Sequence, residues 1–281
     1  GGKIYLVGGT NDGATELPLN EEYDPVANTW AGRTSMLAGR NYLAAGVLAG
    51  RLYAVGGGDN GNFYAENQEY DPEANSWQYR APMPTARNLL AVAVLGGKLY
   101  AFGGTSPAVQ NVNEAYDPML DAWAVRNVMP SPRNRLSAAA VGGQILVVGG
   151  TNGGVVPTNE GFDPLANSWT AKAPLPFARS QFAAAALGGK VYVLGGHDGA
   201  NGISSNVEFD FTSNSWSTRT AMPTIRYNHA AAVFGGRIYA VGGFNAAVYR
   251  NENEVFDPGT SSSFTALSPN TLYAFKAKAR N

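Results

Sequence analysis

The chain contains no cysteine. Disulfides, zinc–thiolate centres and cysteine nucleophiles are therefore excluded, and the compartment is left open. Charge is also sparse: 15% of the 281 residues are Asp, Glu, Lys or Arg, and 20 basic against 21 acidic groups give a net charge of −1. That balance offers no basic stripe for a phosphate backbone, so nucleic acid is not an expected partner. No apolar run approaches the roughly 18–20 residues of a membrane-spanning helix, and no membrane partner is expected. Histidine occurs twice, at His197 and His229, too few for an obvious zinc or copper ligand set. No Asn-x-Ser/Thr acceptor occurs, which leans against a eukaryotic secreted protein. No leader pattern is visible. No cofactor, resident metal or catalytic residue is assigned from the sequence.

What the chain has in quantity is glycine, and the glycines are periodic. One doublet recurs at Gly8-Gly9, Gly56-Gly57, Gly103-Gly104, Gly149-Gly150, Gly195-Gly196 and Gly242-Gly243, in steps of 48, 47, 46, 46 and 47 residues. A fixed period of this length signals one supersecondary unit in six copies, each needing its neighbours to bury its faces. Ahead of each doublet runs a β-branched and aromatic pentamer such as Arg51-Leu52-Tyr53-Ala54-Val55, which reads as a strand. Further on comes aromatic-Asp-Pro, as in Tyr70-Asp71-Pro72, where Asp accepts turn N–H groups and Pro presets φ. The fifth copy has Phe209-Asp210-Phe211 instead. An Asn stands three residues before each aromatic (Asn20 and Asn67 are the first two), and most of the turns close on another Asn, such as Asn28 or Asn75.

All five tryptophans share one register (Trp30, Trp77, Trp123, Trp169, Trp216), with Phe264 in the sixth copy. Each is expected to bury on the order of 150–250 Å² between units. A Met/Leu-x-x-x-Arg element follows in five copies, from Met36–Arg40 to Met222–Arg226, and leads into a strand of small residues such as Ala183-Ala184-Ala185-Ala186. Small side chains suit the crowded strand beside a propeller axis. Four strands per unit follow.

This combination resembles the kelch repeat, and the resemblance covers essentially the whole chain. It implies an all-β, six-bladed β-propeller with four antiparallel strands per blade around a central channel, mostly serving binding. The expected blades are 1–39 with 271–281, 40–86, 87–132, 133–178, 179–225 and 226–270. The sixth copy lacks the Arg, and the first lacks an inner strand. The tail Leu272-Tyr273-Ala274-Phe275-Lys276 is therefore expected to close the ring as the inner strand of blade one. Closure removes open edges that invite aggregation.

Meander topology sorts the loops onto two faces. One carries the nearly identical Gly-Gly and Asp-Pro turns. The other carries the loops between strands two and three and between strands four and one, and these vary, so any binding site belongs there. The site residues expected on that face are Asn41, Tyr42, Asn88, Asn134, Arg135, Ser180, Gln181, His197, Asp198, Tyr227, Asn228, His229 and Phe244. His197, His229, Asp198 and Tyr227 form the most chemically loaded group, read either as a polar ligand site or as loop hydrogen bonding. Of the 20 Lys and Arg residues, fifteen fall into three repeating columns and read as scaffold; Arg135 breaks the register at the channel mouth.

Three functions compete. The first is a non-catalytic recognition or scaffold module for a peptide or protein partner, with Asn, Ser and Arg as polar contacts and Tyr42, Tyr227 and Phe244 as apolar anchors. The second is a carbohydrate-binding propeller. The third is a sugar isomerase like sialic-acid mutarotase, which needs only polar and acid/base groups such as His197, Asp198 and His229. Kelch propellers related to galactose oxidase need a Tyr–Cys crosslink and copper, and a chain without cysteine cannot supply the crosslink. A monomer is expected.

Overall fold

The computed structural model describes residues 2–59, 61–259 and 263–269. None of these residues is helical. Five four-stranded antiparallel sheets and one three-stranded sheet follow one another as six blades. Blade two is typical. Its strands Ala44–Leu48, Arg51–Val55, Asn67–Asp71 and Ser76–Arg80 pair in sequence order. Blade one contributes Ile4–Val7, Asn20–Asp24 and Thr29–Gly32. The tail expected to supply its fourth strand lies outside the described residues.

The core is a ring of layers rather than one mass. Tyr5, Val7, Met36, Leu43, Ala45, Leu52, Tyr70 and Trp77 form the layer between blades one and two. Equivalent layers lie between each later pair, and Ile4, Tyr23, Ala232, Tyr239 and Val255 join blade six back to blade one. The innermost strands carry Ala and Val because they crowd the axis. Ala45, Val92, Ala139, Ala185 and Ala232 line a channel cavity of about 280 Å³.

Every element of the repeat has a cause in this packing. The first glycine of each doublet has φ between 55° and 70°. A Cβ on Gly103 would stand 2.3 Å from the Arg133 carbonyl oxygen. The second glycine has φ near 100°, which side chains rarely tolerate, and a Cβ on Gly150 would stand 2.5 Å from the Asn134 carbonyl.

Trp and the turn Asn together clasp adjacent blades. Trp77 Nε1 donates to the Thr34 carbonyl at 2.8 Å, while the Thr34 N–H donates to Asn75 Oδ1 at 3.0 Å. The Asn three before the aromatic serves the same carbonyl, since Asn20 Nδ2 donates to Thr34 O at 3.1 Å. The clasp recurs around the ring and includes blades six and one, where Trp30 Nε1 donates to Ser268 O and the Ser268 N–H donates to Asn28 Oδ1, both at 3.1 Å. The turn Asn residues reach this position from left-handed backbone, with Asn75 at φ 50°. The tyrosine hydroxyls fix the same amides: Tyr70 OH donates to Asn75 Oδ1 at 2.7 Å.

The arginine column is internal. Arg40, Arg87, Arg133, Arg179 and Arg226 are all fully buried. Their guanidiniums cap the carbonyls that the glycine doublets leave unpaired: Arg133 Nη1 donates to Gly149 O at 2.7 Å, and Arg226 Nη1 to Gly242 O at 3.1 Å. The other two columns pair across strands. Lys98 meets Asp117 at 2.8 Å, and Arg80 meets Glu69 at 2.8 Å.

Candidate functional site

The variable face is built in three tiers around the channel mouth. Lowest sit Leu43, Leu90, Leu136, Phe182 and His229, which line a small cavity of about 80 Å³. Above them runs a belt of Tyr42, Leu89, Arg135, Gln181 and Asn228, all in left-handed backbone with φ of 53–58°. Left-handed geometry turns each N–H toward the preceding blade. Leu89 donates to Tyr42 O, Arg135 to Leu89 O and Gln181 to Arg135 O, each at 2.9 Å, and Asn228 donates to Gln181 O at 2.7 Å. The belt therefore links blades two to six by main-chain bonds, and the side chains above it stand on a rigid floor. Non-glycine residues at positive φ carry strain, and such strain clusters at functional positions.

The third tier pairs the residue after each buried Arg with the loop after each glycine doublet. Single antiparallel bridges join Asn41 to Gly58, Asn88 to Thr105, Asn134 to Thr151, Ser180 to His197 and Tyr227 to Phe244. Asn41, Asn134 and Ser180 are buried in this frame. Asn134 Nδ2 donates to Thr105 Oγ1 at 2.8 Å, and its Oδ1 accepts from Thr151; Asn41 Nδ2 donates to Glu16 Oε1 at 3.3 Å. These amides brace the loops from behind. Tyr42, Arg135, Gln181, Asn228, Tyr227 and Phe244 reach the surface to differing degrees, with Arg135 exposed.

Across blades five and six these tiers carry a row of four rings. His197 and Tyr227 meet edge-to-face with centroids 5.2 Å apart, Tyr227 and Phe244 do the same at 5.4 Å, and Phe244 and Tyr249 lie 5.0 Å apart. Such pairs add about 0.5–1.5 kcal/mol each beyond area burial and hold one another in place. Burial pushes the Tyr227 and Tyr249 hydroxyls up from the ordinary phenol value, so both stay protonated donors at neutral pH. The row ends against blade one, where a Cβ on Gly13 would sit 2.7 Å from the Tyr249 hydroxyl.

The structure separates the charged group that the sequence placed together. His229 occupies the tier of Leu43 and Phe182 and is 5% exposed, with its ring packed under Gly195 and Gly243. His197 stays above with Tyr227. Its Nδ1 accepts the Gly199 N–H at 3.1 Å. Asp198 Oδ1 accepts the Ala200 and Asn201 N–H groups at 2.8 and 2.7 Å, and these bonds hold its carboxyl below the usual carboxylate range. Both side chains are tied to their own turn, which is the loop-bonding role. Among the described residues no group of three His, Asp or Glu could hold a metal ion.

Two members of the site escaped the sequence reading. Leu89 has the register of Tyr42 but an apolar side chain, and only its φ of 56° marks it as part of the belt. Tyr249 lies beyond the glycine loop in a two-residue ribbon, Phe244–Asn245 with Val248–Tyr249. Its signal was the turn Ala246-Ala247, whose φ values of 49° and 65° fold the ribbon back on Phe244.

Six radial sheets, a channel of small residues and one variable face define a six-bladed β-propeller with kelch-type repeats. The Kelch motif matches residues 1–37, 39–84, 86–126, 132–176, 178–223 and 225–262. The chain belongs to the kelch family. It is 42% identical over 60 residues to an F-box/kelch-repeat protein of Arabidopsis thaliana, and 39% identical over 61 residues to Kelch-like protein 6 of Homo sapiens. Those matches span 21% and 22% of this chain but only 12% and 10% of the relatives' own lengths. Among solved structures, YjhT superposes with a TM-score of 0.77 over 94% of this chain and 98% of its own, at 14% identity, which is a likeness of fold.

Proposed function

We propose that this propeller is a non-catalytic recognition module that binds a peptide or protein partner on the variable face, centred on the ring row of blades five and six. The observation that carries the reading is the row itself. Four mutually packed rings, His197, Tyr227, Phe244 and Tyr249, stand on the hydrogen-bonded belt. Rigid aromatic surface beside adaptable polar groups is the composition of binding hot spots, because little side-chain entropy remains to be lost. Arg135, Gln181 and Asn228 flank the channel mouth as hydrogen-bonding groups. An apolar or aromatic partner side chain lies against the row, and its backbone meets these polar groups. Interaction modules are common among kelch proteins, which agrees with this reading.

Peptides selected from a random displayed library on the wild-type chain test it. Phe244→Ala is expected to weaken the selected peptides at least about tenfold while the melting temperature holds, a hot-spot effect without loss of fold. Peptides that bind Phe244→Ala, Tyr249→Ala and Arg135→Ala as well as wild type would refute the site. A glycan array is run beside it, because planar rings next to amides also fit sugars. Sugar binding lost in Phe244→Ala would instead make this a carbohydrate-binding propeller, and turnover of the bound sugar would then be assayed for isomerase activity.

A further inference from the structure

The buried arginines are not equivalent. In blades three, four and six each guanidinium meets a glutamate: Arg87 with Glu114 at 2.5 Å, Arg133 with Glu160 at 2.6 Å, and Arg226 with Glu254 at 2.7 Å. A hydroxyl two residues after the Met donates to the same carboxylate. Thr85 reaches Glu114 at 2.8 Å, Ser131 reaches Glu160 at 3.0 Å, and Thr224 reaches Glu254 at 2.5 Å. The triad is a unit, since the acid and its hydroxyl donor occur together in these blades.

Blades two and five have lost both. In blade two, Gln68 and Ala38 stand in the two positions, and compensation comes from elsewhere. Glu66 lies 3.9 Å from Arg40, and the Tyr64 ring lies 5.9 Å from its guanidinium carbon. In blade five the same registers hold Val207 and Phe177, while Glu66 and Tyr64 are replaced by Ser205 and Ile203. Arg179 keeps only the Gly195 and Ser205 carbonyls, each accepting from Nη1 at 3.3 Å. Its Nε and Nη2 are buried without a protein partner, and so is the Ser205 hydroxyl. Arg179 is 0% exposed, and no carboxylate offsets the burial that lowers its pKa to about 10. An uncompensated buried charge is costly, and orphaned donors seek an acceptor.

We propose that blade five holds a small inorganic anion of halide size, chloride in ordinary buffers, bound by Arg179 Nε and Nη2 with the Ser205 hydroxyl as a further donor. Val207 is shorter than the glutamate of blades three, four and six by a carboxylate, so the anion takes the place that the carboxylate occupies there. It completes the ion pair that the other blades build from their own residues and locks blade five beneath the loop that carries His197. This site is independent of the ring row, and its failure would leave the proposed binding face untouched.

The test is thermal melting of the intact chain at fixed ionic strength, with gluconate, which is too large for the position, exchanged for chloride or bromide. A ligand bound only to the native state raises stability by RT ln(1 + [L]/Kd). The wild type is expected to gain about 2 °C or more between about 5 and about 300 mM chloride. Val207→Glu restores the internal acid and should abolish the gain. Arg179→Met, which removes the charge at similar length, should abolish it as well and serves if Val207→Glu folds poorly. Crystals grown in bromide should show an anomalous peak beside Arg179 and Ser205. A wild-type melt that ignores halide, an equal gain in both variants, or no peak at Arg179 would overturn the proposal.

Discussion

Replacing Arg133 by Ala tests the architecture at its most demanding point, two residues from a charge expected to matter little. Arg133 makes four bonds: to Gly149 O at 2.7 Å, to Thr158 O and Val147 O at 3.3 Å each, and to Glu160 Oε2 at 2.6 Å. Burial pulls the guanidinium pKa down, and Glu160 pulls it back, so the charge is kept inside by its partner. Truncation would strand the Glu160 carboxylate, 5% exposed, with Ser131 as its remaining side-chain donor. Breaking one side of a buried pair costs about 3–5 kcal/mol. Equilibrium urea unfolding followed by tryptophan emission is the assay. Arg133→Ala should lower the unfolding free energy by that amount, whereas Arg135→Ala should stay within about 1 kcal/mol because its side chain is exposed. The double variant Arg133→Met with Glu160→Leu should recover most of the loss, since apolar replacement of both partners is often neutral. An Arg133→Ala midpoint matching that of Arg135→Ala would refute the scaffold role of the whole column.

Two further outcomes follow from the same packing. Trp77→Phe keeps the aromatic layer but loses the bond to Thr34, and should cost about 1–2 kcal/mol in the same urea assay; Trp77→Ala should cost about 3–5 kcal/mol. Equal costs for the two would show that the interblade clasp contributes nothing. Burial alone would raise the Glu208 carboxyl, but hydrogen bonds from Arg219, Lys190 and Tyr192 outweigh it and hold the pKa at about 2. A depressed folded value means that this stabilisation is full above the unfolded value of about 4.3 and is lost as pH falls toward about 2. Glu208→Gln should therefore flatten the fall in melting temperature across that window, and an unchanged acid limb would contradict the assignment.

Much of the architecture lies on the surface of the sequence because it is local and repeated. The glycine doublets, the aromatic-Asp-Pro turns and the Trp register each report a backbone or packing need that recurs every 46–48 residues, so six copies average out any single irregularity. The arginine column was legible as scaffold for the same reason. Its reason for being there was not legible. That Arg133 caps Gly149 and meets Glu160 depends on strands that neighbour only after the blade forms.

The site behaved differently. Sequence register put Asn41, Asn134 and Ser180 on the variable face but could not tell a loop-bracing amide from a surface one. It placed His229 near His197 because both interrupt the pattern, while packing sends one under the glycines and leaves the other beside Tyr227. Tyr249 joins the ring row because an Ala-Ala turn in left-handed backbone folds it onto Phe244, and its hydroxyl then abuts Gly13 from the opposite end of the chain. By itself, then, the sequence determined the number of blades, their strands and the face that varies, since those follow from period, propensity and turn chemistry. The tertiary structure alone decided which varied residues meet, which are buried, and which buried charge lacks its partner. Those are properties of distance between residues far apart in the chain, and a linear pattern carries no distances.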